Sequence, residues 1–91
     1  MIFEWDKNKE QENIKKHGVD FEVACQVFQD PKYLVTEDEK HSKNEPRYFA
    51  IGEVEGEVLT VRFTHRKDVI RIFGAGYWRK GRILYEQENP L

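Results

Sequence analysis

Two rhythms of apolar residues run along this chain. Ile2-Phe3-Glu4-Trp5 is a short extended run, and Asp6 behind it has the compact acceptor side chain that caps a helix start, predicting a charged helix through Lys16. His17-Gly18 ends that helix, the glycine being free to take the left-handed cap conformation and the imidazole lying near the negative end of the helix. Asp20 opens a second helix. Its apolar positions Phe21, Ala24, Cys25 and Phe28 recur at the spacing of one buried helical face, and Asp30-Pro31 stops it because a residue before proline is pushed out of the helical region.

Beyond Pro31 the period shortens to two. Tyr33 to Thr36 reads as a short strand, and Glu37 to Pro46, with six charged residues, as an open polar loop. Arg47 to Val54 and Glu57 to Thr64 are β-branched runs joined at Glu55-Gly56, a hairpin turn in which glycine supplies positive φ. Val69 to Ala75 follows the turn His65-Arg66-Lys67-Asp68, so three consecutive strands form an antiparallel meander. Alternation puts Leu59, Val61 and Phe63 with Ile70 and Ile72 on an apolar face for the two helices to cover. Arg62, Arg71 and Phe73 are left on a second, basic-aromatic face with Arg66 at its rim. Gly74-Ala75-Gly76 loosens the chain before Tyr77 to Glu86, read as a turn and a short C-terminal helix, although Gly81 costs that helix about 1 kcal/mol relative to alanine. The predicted fold class is α+β: one domain over 1–91, with a small antiparallel sheet packed against two N-terminal helices. The sheet is the three-stranded meander plus the short N-terminal strand, and the last helix is short.

A chain of 91 residues with 38% hydrophobic and 35% charged positions buries only a thin core, to which a bound partner could add stability. Cys25 is the single cysteine, so neither a disulfide framework nor a thiol cluster for zinc is available. The first residues are charged where a signal peptide needs an apolar run, and no stretch nears the roughly 20 apolar residues of a membrane span, so a soluble, cytoplasmic protein without a membrane partner is expected. The net charge of -2 hides a segregation: residues 1–59 carry eight basic and fourteen acidic side chains, residues 60–91 seven basic and three acidic. From Arg62 to Arg82 the basic residues Arg62, Arg66, Lys67, Arg71, Arg79, Lys80 and Arg82 meet only Asp68. Such a block beside aromatic residues suits single-stranded RNA; the plainer alternative is a solvated basic surface balancing the acidic half.

Several chemistries fall away. Ser42, the only serine, stands beside His41 in the polar loop without a glycine-flanked elbow, and Cys25 lies on a buried helical face, so neither makes a convincing nucleophile. His17, His41 and His65 lie in separate segments with no metal-ligand spacing, and no phosphate loop or dinucleotide fingerprint occurs, so no metal and no cofactor is implied. What remains is RNA cleavage by the 2′-hydroxyl, for which a protein supplies cations, proton transfer and a surface that splays the nucleotide. Arg66 and Arg71 are the candidate cations at the scissile phosphate, with Lys80 and Arg79 closing from the C-terminal segment. His65 is the candidate proton-transfer group, because an imidazole changes charge near neutrality. Arg62 and Arg82 extend the RNA path, and Tyr77 and Trp78 are placed to stack bases. Structural alternatives stand beside some of these roles: His65 as a strand end and Tyr77-Trp78 as an anchor for the last helix, while His17 is read as a helix end rather than a catalytic group.

Several blocks resemble one family. FEWDKNKEQENIKKHGVDFEVACQVFQDP resembles the N-terminal signature of BrnT-type toxins, matching it at Lys9, Asn13, Lys16, His17, Gly18, Phe21, Glu22, Val27, Phe28, Asp30 and Pro31. EDEKHSKNEPRYFAIG resembles the family's segment of aspartate, His-Ser, Glu and Arg leading into a strand. VRFTHRKDVIRIFGAGYWRKGRILYE resembles its FT-x-R, IRII-S-A-R and terminal R-x-x-YE run. The resemblance implies a RelE-like fold and a metal-independent ribonuclease that blocks translation as the toxin of a type II toxin–antitoxin pair. It also implies a cognate BrnA-like antitoxin with a DNA-binding segment, through which alone the complex reaches operator DNA, and allows a dimer within that complex. Arg66 and Arg71 are the functional positions it carries over. Gly74-Ala75-Gly76 stands where most members have Ser-Ala-Arg, so one arginine is missing, and a non-catalytic RNA- or partner-binding module is the alternative function.

Overall fold

The computed structural model describes residues 1–90, arranged as β1 (Ile2–Trp5), α1 (Lys7–His17), α2 (Phe21–Cys25), β2 (Leu34–Glu37), β3 (Tyr48–Val54), β4 (Glu57–Arg66), β5 (Val69–Gly76) and α3 (Arg79–Glu88). The local signals act where they stand in the chain. Asp6 Oδ1 accepts from the amides of Asn8 at 2.7 Å and Lys9 at 3.3 Å, which caps α1. Gly18 takes φ 68° and donates its amide to the Ile14 carbonyl at 2.8 Å, which ends it. Asp20 caps α2 through the Val23 amide at 2.9 Å. After Cys25 the chain tightens into a 3₁₀ turn, Gln26–Gln29, and with three residues per turn Val27 comes under Ala24 into the core beside Phe28. Cys25, expected on the buried face, is left half-buried.

The sheet has five strands in the order β1-β5-β4-β3-β2. The β3-β4-β5 meander is antiparallel as predicted, with Glu55 and Gly56 both at positive φ in the β3–β4 turn. Two features correct the expected four-stranded antiparallel sheet. β2 is a full member, hydrogen-bonded antiparallel to the outer edge of β3, and β1 runs parallel to β5. Four residues carry too little alternation to declare a strand's place or direction; the free backbone edges of β3 and β5 decide both.

The apolar face is the predicted one: Leu59, Val61, Phe63, Ile70 and Ile72 are buried, joined by Ala50, Val54 and Ala75. α2 and its 3₁₀ turn cover it through Phe21, Ala24, Val27 and Phe28, with Val19 from the connection before α2. α1, expected to share that work, has Ile14 as its one apolar residue and buries only Asn13, so it lies against β5 as a polar helix. α3 crosses the second face, where Thr60 and Ile51 are buried beneath Gly81. That face is therefore covered at one end and open at the other. No helix among the described residues is long and apolar enough to cross a membrane.

Candidate functional site

The open end of the second face is organised around Phe73. Pairing slips between Arg62 and Phe63, so Arg62 faces Gly74 and Phe63 faces Ile72, leaving Phe73 as the extra residue of a bulge. Its ring carries a cation on each of two neighbours: Lys9 Nζ lies 4.9 Å from the centroid and the Arg47 guanidinium 4.2 Å from it. Lys9, Asn13, Lys16 and His17 recur along one side of α1 and, with Glu12, Arg47, Arg62, Phe73, Gly74 and Trp78, line a cleft of about 260 Å³. Asn13 fixes the helix that presents these cations, donating to the carbonyls of Val19 and Ala75, both at 2.9 Å, and accepting from the Ala75 amide at 3.1 Å. Trp78 closes the far side. Its indole lies over Gly76, where a Cβ would come within 2.9 Å of the ring, and meets the His17 imidazole edge-on at 5.3 Å.

Charge in this patch is unevenly neutralised. Arg66 makes a two-pronged contact to Glu45, Nε at 3.1 Å and a terminal nitrogen at 3.0 Å, and Arg71 pairs with Glu4. The hydrogen bonds from Arg66 hold the Glu45 carboxyl below its ordinary range. Arg47 and Arg62 are less committed: the Nε of each is buried without a hydrogen-bond partner, Arg47 reaches Glu45 only at 3.8 Å, and Arg62 Nε stands 4.0 Å from Asp38 Oδ2. Among the described residues Lys9 and Lys16 have no ion-pair partner. The polar segment expected as an open loop from Glu37 to Pro46 is fastened beyond β2 by Ser42. The Ser42 hydroxyl donates to the Asp38 carbonyl at 2.7 Å and accepts from the Arg47 amide at 2.9 Å.

The residues singled out in sequence fall into separate places. Arg62, Arg66 and Arg71 share the second face, as strand alternation requires. His65 points to the other face, beside Met1, Phe28, Tyr33, Tyr48 and Ile70, so it does not converge with Arg66 and Arg71. Tyr77, Arg79 and Arg82 line a different cleft with Glu53, Glu57 and Glu86, and Lys80 lines an apolar groove with Phe49, Ile51 and Leu84. Trp78 borders all three depressions. Lys9, Lys16 and Arg47 enter the sequence reading only as positions of the family resemblance, and His17 also as a helix end, because the placement of candidate site residues followed strand alternation and the basic C-terminal third. A helical count applied to cations shows Lys9, Lys16 and His17 on one side of α1. Burial, reinforced by Glu22, Asp20 and Glu10, pushes the Cys25 thiol up to about 11, so it is protonated at neutral pH. Among the described residues no group of three or more His, Cys, Asp or Glu side chains is placed to hold a metal ion.

Fold and cleft together define a small α+β protein whose sheet presents a basic, aromatic-floored cleft on its open face. Residues 5–81 match the family model for the ribonuclease toxin BrnT of type II toxin–antitoxin systems, and the chain belongs to that family. The match takes in every residue lining the cleft and ends in the first turn of α3. Membership gives the protein an antitoxin as its partner. No curated protein matches the chain.

Proposed function

We propose that the protein is an endoribonuclease that cuts mRNA without a metal and blocks translation until a cognate BrnA-like antitoxin neutralises it. The observation that carries this reading is the cleft in which Lys9, Lys16, Arg47 and Arg62 converge around Phe73 and Trp78. Cations with few or distant carboxylate partners, gathered at an aromatic floor, suit a phosphate flanked by unstacked bases. The two guanidinium groups of Arg47 and Arg62 hold the scissile phosphate and stabilise the charge that builds on it as the 2′-hydroxyl attacks. Trp78 stacks a base, and the neighbouring His17, in place of His65, supplies a proton to the leaving 5′-oxygen. Arg66 and Arg71 bind flanking phosphates by exchanging Glu45 and Glu4 for the substrate. Lys80, Arg79, Arg82 and Tyr77 extend the RNA path along α3. Operator DNA is reached only through the antitoxin, in a cytoplasmic complex that includes a dimer.

Purified protein is incubated in EDTA with a defined RNA, first naked and then on translating ribosomes, with Arg62→Ala alongside. Wild-type cuts ending in cyclic or 3′-phosphates, at least tenfold slower in the variant, support the reading. Equal cutting by both removes the site assignment. A second reading, RNA binding without cleavage, draws on Gly76: the family pattern has arginine there, and here the Trp78 indole occupies the space a side chain would need. RNA retained but intact in both arms supports that one.

A further inference from the structure

Asp38 is the one carboxylate among the described residues that is buried, with 6% of its surface exposed, and the chemistry above does not use it. A buried carboxylate is costly without partners. Its Oδ2 lies 2.9 Å from His41 Nδ1 and 4.0 Å from Arg62 Nε, so it joins an imidazole to a guanidinium of the cleft. The Asp38 amide donates to the Arg47 carbonyl at 2.8 Å, which extends the β2–β3 ladder and holds Asp38 at the sheet. His41 ends a 3₁₀ turn, Glu39–His41, whose backbone is tied by its amide to the Asp38 carbonyl at 3.2 Å and by the Ser42 hydroxyl.

We propose that His41, oriented by Asp38, is the general base of the ribonuclease reaction; the inference rests on the ribonuclease reading above. A carboxylate offers only acceptors, so the shared proton belongs to His41 Nδ1, and in the neutral ring Nε2 then carries the lone pair. The side chain is 51% exposed, which leaves that nitrogen accessible to substrate. Arg62 Nε stands 4.0 Å from the Asp38 carboxylate, so a phosphate held by the terminal nitrogens of Arg62 comes within reach of the dyad. Nε2 of His41 takes the proton of the 2′-hydroxyl as the 2′-oxygen forms its bond to phosphorus. The bond from phosphorus to the 5′-oxygen breaks, and that oxygen takes a proton from His17. The products are a 2′,3′-cyclic phosphate and a 5′-hydroxyl, and solvent returns the two imidazoles to their starting states. His41 is thus a catalytic residue beside His17, and Asp38 a positioning residue, the division of labour found wherever an acid fixes the tautomer of a histidine base.

The test compares the full-length protein with His41→Ala and Asp38→Asn, measuring RNA affinity, thermal unfolding and the single-turnover cleavage rate with and without added imidazole. His41→Ala is expected to bind RNA and unfold as the wild type does, to cleave about 100-fold more slowly, and to regain rate with free imidazole. Asp38→Asn is expected to slow cleavage without weakening RNA binding and to gain nothing from imidazole. A folded His41→Ala that cuts at the wild-type rate, or one that slows and is not rescued, overturns the proposal. A wild-type protein that binds RNA and never cuts it, naked or on ribosomes, overturns the ribonuclease reading and the base with it.

Discussion

The side-chain amide of Asn13 exchanges two hydrogen bonds with the backbone of Ala75, giving one to its carbonyl at 2.9 Å and taking one from its amide at 3.1 Å. β1 pairs with β5 only as far as Ile72, so the asparagine does for Ala75 what a continuing strand would have done. Its third hydrogen bond, to the Val19 carbonyl, binds the chain between α1 and α2 to the same point.

Asn13→Ala strands two buried carbonyls and one buried amide at once. Each orphaned group costs about 1–3 kcal/mol, partly relieved by water, so a total loss of about 3 kcal/mol in denaturant unfolding is expected. Asn13→Asp keeps the acceptor and loses both donations, and should fall as far. A loss below about 1 kcal/mol in both variants would show that the amide does not hold α1 to the sheet.

Gly81 is a close-approach glycine: a Cβ there would lie 2.0 Å from Thr60 Oγ1. On helix propensity alone Gly81→Ala gains about 1 kcal/mol, but the clash with a buried β-strand residue outweighs it, and a net loss of about 2 kcal/mol is expected. Thr60→Ala removes both the obstructing oxygen and a buried hydroxyl without a partner. The double variant should therefore recover most of the loss, read as a coupling of at least about 1 kcal/mol in a double-mutant cycle. Additive effects would mean that α3 does not sit on Thr60.

Tyr85 donates its hydroxyl to Asp30 at 2.5 Å, tying α3 to the turn before β2. Burial, then the bond to Asp30, pushes the Tyr85 hydroxyl up to about 12 from 10.0. At Asp30 burial acts upward, yet the bonds from Tyr85 and from the Glu53 and Lys32 amides prevail and hold the carboxyl below its ordinary 3.8. The raised tyrosine contributes its full stability below about pH 10 and loses it as pH rises toward about 12. The depressed aspartate contributes fully above its ordinary value and loses its share as pH falls through the lowered one. Tyr85→Phe should cost about 1–2 kcal/mol at neutral pH. Melting curves of the two proteins should converge as pH climbs past 10, the unshifted phenol value; a gap that stays constant there would contradict the shared proton.

Arg47 and Arg62 are the less committed guanidinium groups of the patch, whereas Arg66 and Arg71 already hold carboxylates. Alanine at Arg47 or Arg62 is expected to lower RNA cleavage by about 100-fold, as removal of a charge-stabilising donor does. At Arg66 or Arg71 the loss should stay near tenfold, because the substrate must first displace Glu45 or Glu4. Rates for the four variants on one RNA decide it, and the reverse ranking would return the centre of the site to the β4–β5 end of the sheet.

The caps at Asp6, Gly18 and Asp20, the β3-β4-β5 meander and the split between the Leu59 face and the Arg62 face were all legible in the sequence. Capping, turn chemistry and alternation act within a few residues, so the residues themselves settle them. The cleft was legible only in part. Arg62, Phe73 and Trp78 come from the basic C-terminal third, but Lys9, Lys16, His17 and Arg47 lie in the half of the chain with the acidic excess. Only folding interleaves the two, since β1 pairing with β5 brings α1 alongside the last strand of the meander. Pairing with β5 also carried β4 on through Arg66, where the sequence reads as a turn, which sets His65 and Arg66 on opposite sides, and folding buried Asp38 beside Arg62. Local rules set which residues form each element; the pairing of distant backbone edges decided which side chains meet.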